Sequence, residues 1–149
     1  MRRRRFLALA ATGTALTAGC VGDTGSGGID ESLFDDYLGD IPEYEGPVDR
    51  RGEDEVTIQV GAVEEADYLR FDPMGVVVTS GTTILWEWTG NGGEHFVVSR
   101  RDTTNRSQQT AEEGYTWEVG YNRTGTTRYV CATHEEQQML AAVDGRAEE

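Results

Sequence analysis

The chain has 149 residues, enough for one domain with a sizeable hydrophobic core and additional terminal segments. It carries 27 acidic residues against 13 basic ones, a formal net charge of -14, and all 13 basic residues are arginines. So acidic a chain is repelled by phosphate backbones, and the sequence therefore predicts no nucleic-acid partner.

Residues 1–19 have the organisation of an export signal. Four arginines at positions 2–5 are followed by a modestly apolar stretch, shorter than the ~20 residues of a membrane-spanning helix, and by small residues before Cys20. Residues 3–7, Arg-Arg-Arg-Phe-Leu, fit the twin-arginine pattern, and residues 16–20 are similar to a lipoprotein cleavage box. We expect Cys20 to carry a lipid that anchors the protein to the membrane; a plain secretory signal is the alternative.

Removal of this signal would leave nine arginines and 27 acidic residues, a net charge near -18. A strongly acidic surface suits a protein that stays soluble in high salt, where repulsion between carboxylates is screened. The charge therefore favours a halophilic source, and an ordinary acidic surface is the alternative.

Residues 20–54 are predicted to form a tether and one short helix. Residues 21–28 are rich in Gly, Ser, Thr and Asp, which is typical of a flexible tether. Apolar residues then recur at helical spacing between Ser32 and Ile41, Ser32 and Asp35 have the spacing of a capping box, and Pro42 ends the pattern. We expect this helix to pack against the domain, the alternative being that it docks a partner, and residues 43–54 to be a polar linker.

From Glu55 onward the apolar pattern has a period of two, which is typical of half-buried strands. The alternating residues are Val56, Ile58 and Val60; Val76 and Val78; Ile84, Trp86 and Trp88; Trp117, Val119 and Tyr121; and Tyr129 and Cys131, with a last strand over residues 140–143. Seven or eight short antiparallel strands with regular turns predict an all-β fold, a Greek-key β-sandwich over residues 55–149. The triplets beginning at Asn105 and Asn122 match glycosylation acceptors, a pattern that also arises by chance.

The residues with metal-binding chemistry lie mainly near the end of this domain. Cys131, His134 and Met139 fall within nine residues, and the only other histidine, His95, follows a Gly-Gly turn. Singly, each has an ordinary alternative as a core or surface residue. Together, two imidazoles, a thiolate and a thioether form the ligand set of a blue copper site. If Cys20 carries a lipid, Cys131 has no cysteine partner, and metal ligation explains an unpaired thiol in an exported protein.

These residues resemble the cupredoxin family and, within it, the halocyanins, the membrane-attached blue copper proteins of haloarchaea. The resemblance covers about residues 34–143 and is strongest in residues 81–88, 92–95 and 129–139. It implies a copper ion held by His95, His134, a short Cys131 thiolate bond and a long axial Met139 contact. It also implies that the partly exposed ring of His134 is the port for electrons.

The function implied is one-electron transfer at the outer face of the cytoplasmic membrane, by a monomer that exchanges electrons with redox partner proteins of a membrane chain. The chain is expected not to be an enzyme, because its two histidines leave none for a second copper centre. Alternatives are a lipoprotein that handles copper without a redox role, a metal-free surface β-sandwich that binds a partner, and zinc in place of copper.

Three residues depart from the family pattern. Phe96 stands where the family usually has Asn after the first histidine, which predicts the loss of a hydrogen bond that steadies the ligand loop. Thr133 and Gln138 stand where Pro and Gly usually precede the second histidine and the methionine. Losses around a metal site typically reduce metal affinity or activity ~10 to 100-fold, so we expect a working site with an altered potential or weaker copper retention.

Overall fold

The computed structural model describes residues 29–64 and 67–147. The predicted signal peptide, Cys20 and the predicted tether lie outside these residues. Within them the chain forms one α-helix, nine strands and a 3₁₀ segment over Ala132–Gln137. The elements are α1 Ser32–Leu38, β1 Val48–Asp49, β2 Glu55–Val60, β3 Phe71–Asp72, β4 Gly75–Thr79, β5 Thr82–Trp88, β6 Val97–Ser99, β7 Thr116–Tyr121, β8 Gly125–Cys131 and β9 Leu140–Arg146.

The strands form two sheets that pack face to face. One sheet has five strands in the order β1-β4-β9-β8-β6, and the other has four in the order β3-β2-β5-β7. Consecutive strands β4 and β5 lie in different sheets, because the turn at Ser80 and Gly81 carries the chain from one layer to the other. The predicted all-β sandwich is confirmed.

The expectation of purely antiparallel strands is wrong, because both sheets are mixed. β4 runs parallel to β9 and to β1, and β2 runs parallel to β5. Parallel neighbours cannot be joined by a tight hairpin, so each of these pairs brings together distant parts of the chain. Val76 in β4, for example, lies beside Val143 in β9. A period of two identifies a strand but says nothing about the direction of its neighbour.

The core between the sheets is built on alternating apolar residues. β5 is buried at every second residue, which confirms the predicted inward face of Ile84, Trp86 and Trp88. The Trp86 ring lies at the centre, with ring centroids 4.9 Å from Tyr129 and 5.3 Å from Phe71. Buried aromatic pairs at such distances contribute ~0.5 to 1.5 kcal/mol beyond the area they bury. This core provides a rigid platform for the residues at the ends of its strands.

Helix α1 covers the outer face of the five-stranded sheet, which confirms that it packs against the domain. Phe34, Leu38 and Ile41 are buried in a second cluster with Val77 and Ala142 of the sheet. Each such apolar side chain contributes ~1.5 to 3 kcal/mol on full burial. Because the helix covers the outer face and the second sheet covers the inner face, the four successive residues 75–78 of β4 are all buried.

Two local expectations in this region are corrected. The capping box between Ser32 and Asp35 does not form; instead the Asp30 carboxylate accepts a hydrogen bond from the backbone N–H of Ser32 at 3.1 Å. Residues 43–54, expected to be a linker, contain β1, which pairs with β4.

Among the residues that the structure describes, no helix is long and apolar enough to cross a membrane.

Candidate metal centre

The predicted ligands meet at one end of the sandwich because β6 and β8 are neighbours. Val97, at the start of β6, pairs with Cys131, at the end of β8, so His95 and Cys131 lie next to each other. The 3₁₀ segment that follows Cys131 carries His134, and β9 begins directly after Met139. A strand pairing and one loop therefore bring together residues that are 36 positions apart in the sequence.

Three donor atoms converge at this end. The Cys131 Sγ lies 3.7 Å from the Nδ1 of His95 and 3.5 Å from the Nδ1 of His134. The donor atoms of all three residues lie within 4.8 Å of one another. Trigonal bonds of about 2.0 to 2.3 Å, the usual lengths from first-row metals to nitrogen and sulfur, separate donor atoms by about 3.5 to 4 Å. The three side chains therefore fit around a single metal ion.

The tautomer of His95 is set by its surroundings. Its Nε2 lies 2.7 Å from the backbone carbonyl oxygen of Asn91, which can only accept, so Nε2 carries the proton. The unprotonated Nδ1 then faces Cys131, as a metal ligand requires. Two glycines with positive φ leave room for this ring: a Cβ on Gly61 would lie 3.0 Å from Nε2, and one on Gly92 would lie 3.1 Å from it.

Burial favours the neutral form of both imidazoles, which is the form that binds metal. Burial lowers the pKa of His95 below its usual value and the nearby His134 lowers it further, while the Asn91 hydrogen bond opposes the shift. Burial also lowers the pKa of His134, whose ring remains partly exposed. His95, by contrast, is completely buried. Of the two rings, His134 is thus the one that faces solvent.

The sulfur of Cys131 has hydrogen-bond partners of its own. The backbone N–H of Phe96 donates to Sγ at 3.5 Å, and the Thr133 hydroxyl lies 3.1 Å from Sγ. The Thr133 hydroxyl also lies 3.0 Å from the Glu94 carbonyl oxygen, to which it donates. Thr133 therefore joins the ligand loop to the segment before His95. The backbone N–H of Ala132 donates to the Phe96 carbonyl at 2.8 Å and adds a second connection.

The residues that depart from the family pattern make contacts of their own in this loop. Thr133 ties the two ligand segments together although Phe96 offers no side-chain amide. Gln138 adopts the left-handed conformation, with φ 62° and ψ 42°, and its N–H donates to the Glu135 carbonyl at 3.0 Å. A glycine would take this conformation without strain, whereas Gln138 has to be held in it.

Met139 is completely buried and belongs to the same core cluster as Cys131. Its carbonyl accepts a hydrogen bond from the Cys131 N–H at 2.9 Å, and its own N–H donates to the His134 carbonyl at 3.4 Å. The two bonds close the loop on itself and hold the Met139 backbone beside those of Cys131 and His134.

Two arginines that hold this loop were not anticipated from the sequence. The Arg70 guanidinium donates to the Gln137 carbonyl at 2.6 Å, and that of Arg100 donates to the Glu135 carboxylate at 2.8 Å. Each arginine also contacts a residue before β1: Arg70 donates to the Glu43 carboxylate and Arg100 donates to the Tyr37 hydroxyl. The sequence carries no signal for these contacts, because Arg70 donates to a backbone carbonyl and Arg100 pairs with a residue 35 positions away.

A β-sandwich with one cysteine and two histidines converging at its end defines the cupredoxin class of copper proteins. The family model for copper-binding proteins of the plastocyanin/azurin type matches residues 56–144. The chain belongs to this plastocyanin/azurin family. It is 39% identical to a halocyanin from Natronomonas pharaonis, over an alignment that covers 95% of both chains.

Solved structures agree on the fold. Plastocyanin from the fern Dryopteris crassirhizoma superposes with a TM-score of 0.50 at 13% identity, covering 61% of this chain and 100% of the fern protein. A mutant fern plastocyanin gives 0.52 at 14% identity, with the same coverage of 61% and 100%. A copper-containing nitrite reductase from Thermus scotoductus gives 0.50 at 16% identity, covering 64% of this chain but 23% of that enzyme.

The resemblance to blue copper proteins is therefore confirmed. The family binds copper, and the convergent His95, Cys131 and His134 can hold one ion. The protein is a blue copper electron carrier of the halocyanin type.

Proposed function

We propose that His95, Cys131, His134 and Met139 are the four ligands of a mononuclear type 1 copper site. The observation that carries this assignment is the convergence of the Nδ1 atoms of both histidines on one buried sulfur. When bound, copper supplies the one-electron chemistry that none of the side chains provides. Met139 is assigned the weak axial position because its thioether is the one remaining soft donor in the ligand loop.

The surrounding residues suit electron transfer because they keep the ligands in place in both oxidation states. His95 is fixed by Asn91, Cys131 by the N–H of Phe96, and the loop by its closure at Met139. Ligands that do not rearrange keep the barrier to electron exchange low. We propose that electrons pass through the His134 ring, which is partly exposed. Both histidines of the chain are used in one site, so we propose a carrier and not an enzyme.

Reversible electrochemistry tests this proposal. The copper-loaded protein, in high salt, is expected to give a reversible one-electron wave and a visible band that bleaches on reduction and returns on oxidation. The Met139→Leu variant is expected to keep copper and to shift the reduction potential, because the axial ligand tunes the potential of such a site. A shift of about 60 mV corresponds to a tenfold change in a one-electron equilibrium.

Two outcomes would contradict these assignments. Tightly bound copper without a reversible wave would favour a role in copper handling. An unchanged potential in Met139→Leu would remove Met139 from the ligand set.

We propose further that the protein is exported and lipid-anchored at the outer face of the cytoplasmic membrane. Residues 1–19 would be the signal peptide, Cys20 the lipidated residue, residues 20–54 the tether with helix α1, and residues 55–149 the copper domain. The sequence of residues 1–20 supports this proposal. A single carrier domain on a membrane tether would exchange electrons with redox partners of a membrane chain and act as a monomer.

Cell fractionation tests the anchor. The wild-type protein is expected in the membrane fraction and to be released by detergent. Cys20→Ser is expected in the soluble fraction, because serine offers no thiol for attachment of the lipid anchor. Mass spectrometry of the mature N-terminus identifies the lipid directly. Wild-type protein that is soluble, with an unmodified N-terminus, would leave the plain secretory signal as the explanation.

A further inference from the structure

Arg70 lies just before β3 and is almost completely buried, with 8% of its surface exposed. Its Nε donates to the Glu43 carboxylate at 2.9 Å. Its Nη1 donates to the backbone carbonyls of Leu69 at 2.9 Å and Gln137 at 2.6 Å, and lies 3.5 Å from that of Gln138. A buried cation needs an opposite charge and acceptors for its N–H groups. Two of the four partner residues of Arg70 are in the ligand loop.

The two loop carbonyls have a particular relation to Gln138. The Gln137 carbonyl belongs to the peptide plane before the Gln138 α-carbon, and the Gln138 carbonyl to the plane after it. One guanidinium nitrogen therefore contacts both planes whose orientation defines φ and ψ of this left-handed residue. A non-glycine residue persists in this conformation only where its surroundings hold it.

Gln138 is directly followed by Met139, the proposed axial ligand. A change in φ or ψ of Gln138 swings the Met139 backbone relative to the Cys131 strand end, to which it is hydrogen-bonded. Lys in place of Arg70 could not make these contacts together, because its ammonium lacks the planar fork of donors. Glu43 completes the arrangement, since its carboxylate fixes the opposite edge of the same guanidinium.

We propose that Arg70 is a positioning residue of the copper site, which holds Gln138 in its left-handed turn and so sets where Met139 approaches the metal. The inference rests on the proposed ligand role of Met139. A glycine before the methionine would adopt this conformation without support, whereas Gln138 is supported by an arginine 68 residues before it in the sequence. Through Glu43, the segment between α1 and β1 also helps to hold the ligand loop.

Arg70→Met tests the proposal, because methionine keeps much of the apolar stem and removes every donor. In the metal-free variant, the amides of Gln138 and Met139 are expected to exchange with solvent faster than in the wild type, as measured by NMR. In the copper-loaded variant, the copper dissociation rate is expected to rise ~10 to 100-fold, the usual effect of losing a partner of a ligand. The reduction potential is expected to move in the same direction as in Met139→Leu.

Arg146→Met is the matched control. Arg146 also pairs with a carboxylate, that of the buried Asp144, but at the end of β9 away from the ligand loop. It is expected to lower the melting temperature and to leave the potential and the copper dissociation rate unchanged. Arg70→Lys keeps the positive charge that Arg70→Met removes. It is expected to recover less than half of the copper retention that Arg70→Met loses.

Glu43→Gln keeps the experiment decisive if Arg70→Met does not fold. It leaves Arg70 in place without its charged partner, and is expected to change loop exchange and potential in the same direction by a smaller amount. Wild-type exchange, potential and copper dissociation in Arg70→Met would overturn the proposal, as would the same result in Glu43→Gln if only that variant folds. A wild-type protein without the visible band would instead overturn the ligand assignment, while the exchange measurement on metal-free protein would still judge Arg70.

Discussion

Cys131→Ser is expected to abolish the intense visible colour of the copper-loaded protein. The colour of such sites comes from charge transfer between the thiolate and the metal, and a serine hydroxyl at neutral pH supplies neither a thiolate nor a comparable soft donor. Serine has nearly the same shape, so the β8–β6 pairing at Val97 and the fold of the metal-free protein are expected to survive. Absorption spectra of equal concentrations, with copper added in high salt, measure the effect.

The other cysteine provides the matched control. Cys20→Ser makes the same chemical change outside the described residues and is expected to leave the colour unchanged. Circular dichroism of both metal-free variants checks that the sandwich has formed. A visible band of wild-type intensity in Cys131→Ser would rule out this residue as the thiolate ligand.

Gly61→Ala is expected to weaken copper binding ~10 to 100-fold, because it disturbs the residue that orients His95. Gly61 has φ +90°, and an added Cβ would lie 2.6 Å from the Asn91 carbonyl oxygen and 3.0 Å from Nε2 of His95. The hydrogen bond that fixes the His95 tautomer joins these same two atoms. The methyl group therefore has to displace either the carbonyl or the ring. Competition with a copper chelator measures the affinity.

Gly52→Ala separates this contact from backbone strain. Gly52 has the same φ of +90°, but an added Cβ would meet nothing within 4 Å. Both variants are expected to lose stability, since alanine is disfavoured at positive φ, and only Gly61→Ala is expected to lose copper affinity. Equal copper affinity in the two variants would show that the Asn91 contact does not position His95.

The sequence predicts those parts of the molecule that depend on local pattern. Alternation along β2 and β5 identifies buried faces because side chains in a strand point to opposite sides. The ligand set is equally local, since Cys131, His134 and Met139 share one loop and the chain has few other soft donors. His95 could be added because it is the only other histidine.

Features that depend on pairing over long distances could not be predicted. The parallel pairing of β4 with β9 joins segments that share no turn, and a period of two is the same for either direction. Val77 is buried by helix α1 and not by the core between the two sheets. The contact between Arg70 and the Gln137 carbonyl is made to the backbone, which carries no side-chain signature in the sequence. For that reason the sequence could not show what holds Gln138 in its left-handed conformation.

The position of β9 affects the order in which the protein can be assembled. β9 lies between β4 and β8, so the five-stranded sheet is divided until residues 140–146 are in place. A ribosome has to release this segment before β4 has its partner on that side, and such non-local pairing is slow to form. The loop with Cys131 and His134 lies directly before β9 and cannot close earlier. The metal site is thus completed only after the residues that support it, Arg70 among them, have been made.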